Sequence, residues 1–264
     1  MRMYKKLPAL VIFSLVLQIS PALADLAPDS FSFTGSGYGH GVGLSQIGGR
    51  AKALAGETST SILSYYFPGS AISIVDDSAS TRINIGHLLT TAKFRTDSQG
   101  ATLSAFAGDL PELQPAHPVF TNIARQSFQA HLVGSSILLT SMNGKVSTPI
   151  STEKSFTLRW SGTRNLEGAP ALVSVTTGST TVKYRHGQIQ LKVVKDKVLG
   201  NRIEVTNTVR IKDEYLYGVS EVPSSWPSAM LDAQAIASRT YAFTRGAKVR
   251  PACDCNLYGS ITDQ

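Results

Sequence analysis

The sequence predicts an α+β fold, with a β-rich middle region, a helix-containing C-terminal domain and a small helical N-terminal unit packing against that domain. Three observations predict it. Short alternating or β-branched runs, separated by Gly, Asn, Asp, Ser or Pro, fill residues 73–215. An alanine-rich stretch opens at Ser228, and alanine has the highest helix propensity. Two short segments with near-helical apolar spacing lie between Ser45 and Phe67. With 42% hydrophobic and 16% charged residues, the 264-residue chain carries enough apolar material for one large core or two smaller ones. The expected divisions are 1–24, 25–72, 73–185 and 186–264.

Arg2, Lys5 and Lys6 precede an apolar run over 7–19, and Pro21-Ala22-Leu23-Ala24 supplies the small residues of a cleavage site. This order reads as a secretory signal peptide cut before Asp25, which makes the mature protein extracytoplasmic. The apolar run is short for a bilayer span, and no later segment is apolar enough for one. Loss of the three leading cations lowers the formal charge from +7 to +4. Such a mild surplus suits a polyanionic envelope, and without a basic run interleaved with aromatics no nucleic-acid partner is expected.

Within the N-terminal unit, residues 31–35 alternate like a short strand and run into Gly35-Ser36-Gly37-Tyr38-Gly39-His40-Gly41-Val42-Gly43. A helix is predicted from Ser45, carrying Gln46, Ile47, Ala51, Leu54 and Ala55. A second helix follows Thr58 and Ser59 and stops at Pro68-Gly69. Strands are predicted over 71–75, 82–85, 136–140, 155–160, 171–176 and 188–194, with Asn143-Gly144 as a hairpin turn. Residues 201–212 alternate Ile203, Val205, Val209 and Ile211 as a further strand or strand pair. Pro227 is expected at the first position of a helix ending near Gly246, with 229, 233, 237 and 241 as a face open to close approach.

Two blocks carry a resemblance. Tyr215-Leu216-Tyr217-Gly218-Val219-Ser220-Glu221-Val222-Pro223-Ser224-Ser225-Trp226-Pro227, continued by Ala233-Gln234-Ala235-Ile236-Ala237-Ser238-Arg239-Thr240-Tyr241-Ala242, resembles the signature of the stage II sporulation protein D and amidase-enhancer LytB family. Gly39-His40-Gly41-Val42-Gly43-Leu44-Ser45-Gln46, with Tyr65-Tyr66-Phe67-Pro68-Gly69, resembles that family's glycine-rich block. The blocks cover about seventy residues. Here the glycine-rich block comes first, the reverse of many relatives. Because the family's domain normally continues beyond the position of Gln264, the expectation is an incomplete 186–264 domain.

The resemblance implies a lytic transglycosylase acting on peptide-free peptidoglycan glycan strands, with Glu221 as the catalytic acid. Apolar neighbours Val219, Val222, Pro223 and Trp226 would raise its pKa by desolvation. One carboxyl suffices when the sugar's own 6-hydroxyl is the nucleophile. The alternatives are a non-catalytic amidase enhancer or wall-binding protein, with a cell-wall amidase as partner, and a structural envelope protein.

Candidate substrate-binding residues are His40, Ser45 and Gln46 at a helix start, Tyr38 and Trp226 as aromatic edges of a groove, and Arg239 for a substrate carboxylate. Each has a plainer reading. His40 suits a glycine-fixed turn as well as a sugar contact, a helper to Glu221 or a metal ligand. Arg239 suits a structural salt bridge better than a substrate contact. His87, His117, His131 and His186 read as ordinary surface residues. Cys253 and Cys255 are open between a tight disulfide, a metal pair and free thiols. No cofactor is expected, and the Gly-x-Gly spacing lacks the βαβ context of a dinucleotide site.

Overall fold

Helices α1 (Gln46–Leu54) and α2 (Ser59–Tyr66) open the computed structural model, which describes residues 30–32, 34, 43–123, 126–246 and 248–259. Both start on local chemistry. The Ser45 hydroxyl accepts the Gly48 N–H and the Thr58 hydroxyl accepts the Ser61 N–H, each satisfying an amide that has no partner within the helix. In the 31–35 segment the described residues 31, 32 and 34 lie in no strand, and the turn around Tyr38 and His40 lies outside the described residues.

The strands follow in order: β1 (Ser80–Leu89), β2 (Thr91–Thr96), β3 (Thr102–Ala107), β4 (Phe120–Ile123), β5 (Ser127–Val133) and β6 (Ser136–Asn143). After them come β7 (Val146–Glu153), β8 (Ser155–Trp160), β9 (Val173–Thr177), β10 (Thr180–Tyr184), β11 (Gln188–Asp196) and β12 (Gly200–Arg210). The chain then tightens into a π-helical turn, Ile211–Tyr215, and a single turn, α3 (Leu216–Gly218). Helix α4 (Ser228–Arg245) and β13 (Leu257–Tyr258) complete it.

Two sheets form from these strands. One has seven, in the order β13-β1-β12-β11-β8-β3-β4, and the other six, in the order β10-β9-β2-β5-β6-β7. Pairing is antiparallel except where β13 joins β1. Period-two alternation sends one side of the inner strands into a shared core, while the edge strands β7 and β10 bury no residue. In β2, Ala92, Phe94 and Thr96 are buried while Thr91, Lys93 and Arg95 face outward. Phe94, Phe128, Leu139 and Val173 of the six-stranded sheet belong to one cluster with Phe156, Leu158, Trp160, Ile189 and Val205 of the seven-stranded sheet. The expected division at 185/186 falls inside this arrangement, since β11 pairs with β8 and β12 with β1. The described residues from 43 to 259 form one compact unit.

The 71–75 strand is not formed. That segment has no ladder partner, and Ile72 and Ile74 stand exposed. Alternation suits a strand but does not supply an edge to pair with; the Asp77 and Ala79 carbonyls accept the Lys212 and Ile211 N–H groups of the π-helical turn, and the chain joins the sheet from Ser80, opposite Arg210. The predicted strand over 201–212 ends at Arg210, where the π-helical turn takes over.

A smaller core holds the helices together. Ile62 and Leu63 of α2 pack on Ala233 of α4, with Leu44, Ala53, Tyr66, Ala229 and Ala237 around them. The small residues of α4 allow this closeness, and Gly49 of α1 sits so near Met230 that an added Cβ would lie 2.5 Å from the Met230 sulfur. A third cluster, Ile211, Ala242 and Leu257 with Ile83, Tyr215 and Tyr241, ties α4 to the seven-stranded sheet.

Candidate functional site

Glu221 lies on the loop between α3 and α4, and local chemistry shapes that loop. The Val219 N–H closes α3 onto the Leu216 carbonyl, and the Trp226 N–H bonds the Pro223 carbonyl. Pro227 stands at the N-cap of α4, one place before the predicted first helical position, and its carbonyl accepts the N–H groups of Met230 and Leu231. The preceding π-helical turn is a rare geometry that is common at functional sites.

A cleft of about 210 Å³ opens beside the carboxyl, lined by Leu216, Val219, Glu221, Val222, Leu231 and Gln234 among others. Most of these side chains are apolar, so an ionised carboxylate is poorly solvated there. Burial pushes the Glu221 carboxyl above its ordinary value, and a hydrogen bond from Gln46 pulls against it without cancelling the rise. Such a group retains its proton to higher pH than an ordinary glutamate, as a general acid requires. Tyr215 shares the neighbourhood. Burial, with the charges of Glu221 and Tyr241, pushes its hydroxyl up to about 12, so it stays neutral and can donate a hydrogen bond.

Gln46 reaches this site from a distant part of the sequence. Its Nε2 donates to Glu221 Oε2 over 3.5 Å, across a separation of 175 residues. The contact exists because α1 packs on α4, as the Gly49–Met230 approach shows. The last residue of the glycine-rich block and the glutamate of the second block therefore meet in space.

The other predicted residues divide. Ser45 is committed to capping α1. Trp226 lies against the Arg50 guanidinium, 5.6 Å from its ring centroid, an arrangement that holds α1 near the loop after Glu221. Arg239 Nε lies 2.9 Å from Asp77 Oδ2, an ion pair made by a partly exposed side chain. Tyr38 and His40 lie outside the described residues. Sequence reasoning did not single out Gln234, Leu216 or Leu231 as cleft residues, although all three stand in or beside the block around Glu221.

The role of the two cysteines, left open by the sequence, is resolved. Cys253 and Cys255 are joined in a disulfide, both fully buried. Asp254 between them adopts a left-handed backbone (φ 48°), which brings the Cα atoms to 5.1 Å and makes the short ring possible. His87 is exposed, as expected of a surface histidine, and its Nδ1 also lies 2.9 Å from Glu204, a fully buried side chain that accepts from Asn84 Nδ2 and the Leu88 N–H. Among the described residues, no group of three or more His, Cys, Asp or Glu side chains is placed to hold a metal ion.

Comparison with known proteins matches the family described as "Stage II sporulation protein" over residues 200–264, the part that contains α4 and the Glu221 loop. A curated relative, "Amidase enhancer" of Bacillus subtilis (strain 168), is 48% identical over 42 residues. That match covers 16% of this chain and 6% of the relative's length. No solved structure matches the chain.

Proposed function

With residues 200–264 matching the stage II sporulation protein family, we propose that this chain acts outside the cytoplasm on the bacterial cell wall, as a lytic transglycosylase that cleaves peptide-free glycan strands. The observation that carries the reading is Glu221 beside an apolar-lined cleft, its carboxyl held above the ordinary value by burial.

The chemistry needs one carboxyl in two protonation states. Protonated Glu221 donates its proton to the glycosidic oxygen, so the bond between that oxygen and the anomeric carbon breaks and the leaving sugar departs as an alcohol. The resulting carboxylate then takes the proton from the 6-hydroxyl of the same sugar, whose oxygen bonds to the anomeric carbon. The product is a 1,6-anhydro end, and Glu221 regains its proton. Neither water nor a second carboxylate enters, unlike ordinary glycoside hydrolysis. Gln46 would hold the Glu221 carboxyl at a fixed angle to the cleft, and Trp226 and Gln234 would border the sugar.

The 48% identity to a protein named amidase enhancer favours a second reading, in which the chain binds the wall and stimulates a cell-wall amidase. Product identity separates the two. Incubation with peptide-free glycan strands followed by mass spectrometry is expected to show fragments with anhydro ends. Intact strands, together with faster stem-peptide release when an amidase is added, would replace catalysis by the enhancer reading.

A further inference from the structure

The outward face of the six-stranded sheet carries a second cleft, of about 350 Å³, remote in sequence from the Glu221 loop. Its floor is laid out by strand register. Lys93 of β2 lies opposite Thr176 of β9, which lies opposite Thr181 of β10. One step along, Arg95 lies opposite Ser174, which lies opposite Lys183. Since Ala92 and Phe94 point into the core, Lys93 and Arg95 both stand on the solvent side, spaced about 7 Å along the strand. Lys183 lies two strands away, about 9.5 Å from Arg95 across the sheet.

Three cations line this cleft and one anion, Asp97. Asp97 lies 2.8 Å from Arg95 and 3.6 Å from Lys183, and accepts a hydrogen bond from Ser174. The cluster therefore keeps a net surplus of two positive charges, with Arg95 and Lys183 held in place and Lys93 beside them. The Thr176 and Thr181 hydroxyls, 2.9 Å apart, offer hydrogen bonds in the same row as Lys93.

The lining contains no aromatic ring. Sugar faces and nucleobases are usually gripped by stacking on aromatic side chains. Here charge and hydroxyl donors remain, which is the chemistry that recognises phosphate oxygens. The open face also suits a chain that passes through, with one negative charge per repeat meeting successive cations.

We propose that this face binds a linear phosphodiester polymer without stacking bases, an anionic polymer of the poly(glycerol phosphate) type, and so anchors the protein in the envelope independently of the Glu221 cleft. The inference goes beyond the catalytic proposal and does not depend on it.

Fluorescence anisotropy of the full chain with labelled poly(glycerol phosphate), over a series of salt concentrations, tests it. Binding is expected to weaken with salt, with a slope of log K against log salt of about −2 for three contacting cations. The Lys93→Ala/Lys183→Ala double variant alters only exposed strand positions, and its melting temperature checks that the sheet is intact. It is expected to bind about tenfold more weakly, with a slope of about −0.7. Asp97→Asn is expected to bind more tightly. Glu221→Gln should bind like the wild type, so failure of the catalytic reading leaves this result unaffected. Unchanged binding by the folded double variant, salt-independent binding, or equal binding to neutral dextran would overturn the proposal. Tighter binding of single-stranded DNA than of the polymer would also overturn it.

Discussion

At Glu221 two opposed effects set the proton affinity, and their signs can be tested separately. Burial in the apolar cleft raises the carboxyl's pKa, and the Gln46 hydrogen bond lowers it by favouring the charged form. A general acid must be protonated, so the cleavage rate should fall as pH rises through the Glu221 value. Gln46→Leu removes the lowering contribution and leaves the burial. Its alkaline limb should therefore move to higher pH than the wild type's, which a pH–rate profile of kcat/KM will show. A limb that moves to lower pH, or stays fixed, would mean that Gln46 does not act on the acid. The sequence made Glu221 and Gln46 legible as separate members of two blocks. Their contact was not legible, because 175 residues separate them and only the packing of α1 on α4 joins them. The fate of the cysteines was likewise hidden, since it turns on the left-handed backbone of Asp254, which no pattern of residue types announces.

Among the elements, the helices follow from local chemistry and the sheets do not. Caps at Ser45 and Thr58 and the stop at Gly246 are short-range signals, so α1, α2 and α4 begin and end within a residue or so of their predicted positions. Strand existence was legible for β6, β8, β9 and β11, whose runs are bounded by turn residues. Strand order was not, because pairing β1 with β12 depends on contacts more than a hundred residues apart. The 71–75 segment shows the same gap from the other side, with the right alternation and no edge to join. The tightest junction between elements is Gly49 against Met230. Gly49→Val would force branched carbon into that contact, and overpacking of this kind costs about 1–3 kcal/mol. Chemical denaturation should show that loss, accompanied by reduced activity as Gln46 is carried away from Glu221. A variant of wild-type stability would show that α1 does not rest on α4 at this point.

For the whole molecule, the largest buried core is the one shared by the two sheets, and the candidate chemistry sits on the loop that leads into α4. Phe94, fully buried between the sheets, is a direct gauge of the first. Phe94→Ala should cost about 3–5 kcal/mol in urea unfolding, as cavity-forming changes in packed cores do. A loss below about 1 kcal/mol would mean that the sheets do not pack through this residue. The separation of scaffold from site also explains why composition and periodicity reveal the β-rich body while saying little of its activity: the reactive carboxyl, its apolar walls and its hydrogen-bonding partner occupy a few loop and helix positions at one end.

The most direct test of the account compares wild type and Glu221→Gln, matched for melting temperature, on peptide-free glycan strands. The account predicts anhydro-ended fragments from the wild type and a rate lower by about 10²–10⁴-fold in the variant, the range that a positioned acid–base group supplies. Equal rates in the two proteins, or no fragments from a well-folded wild type, would contradict it.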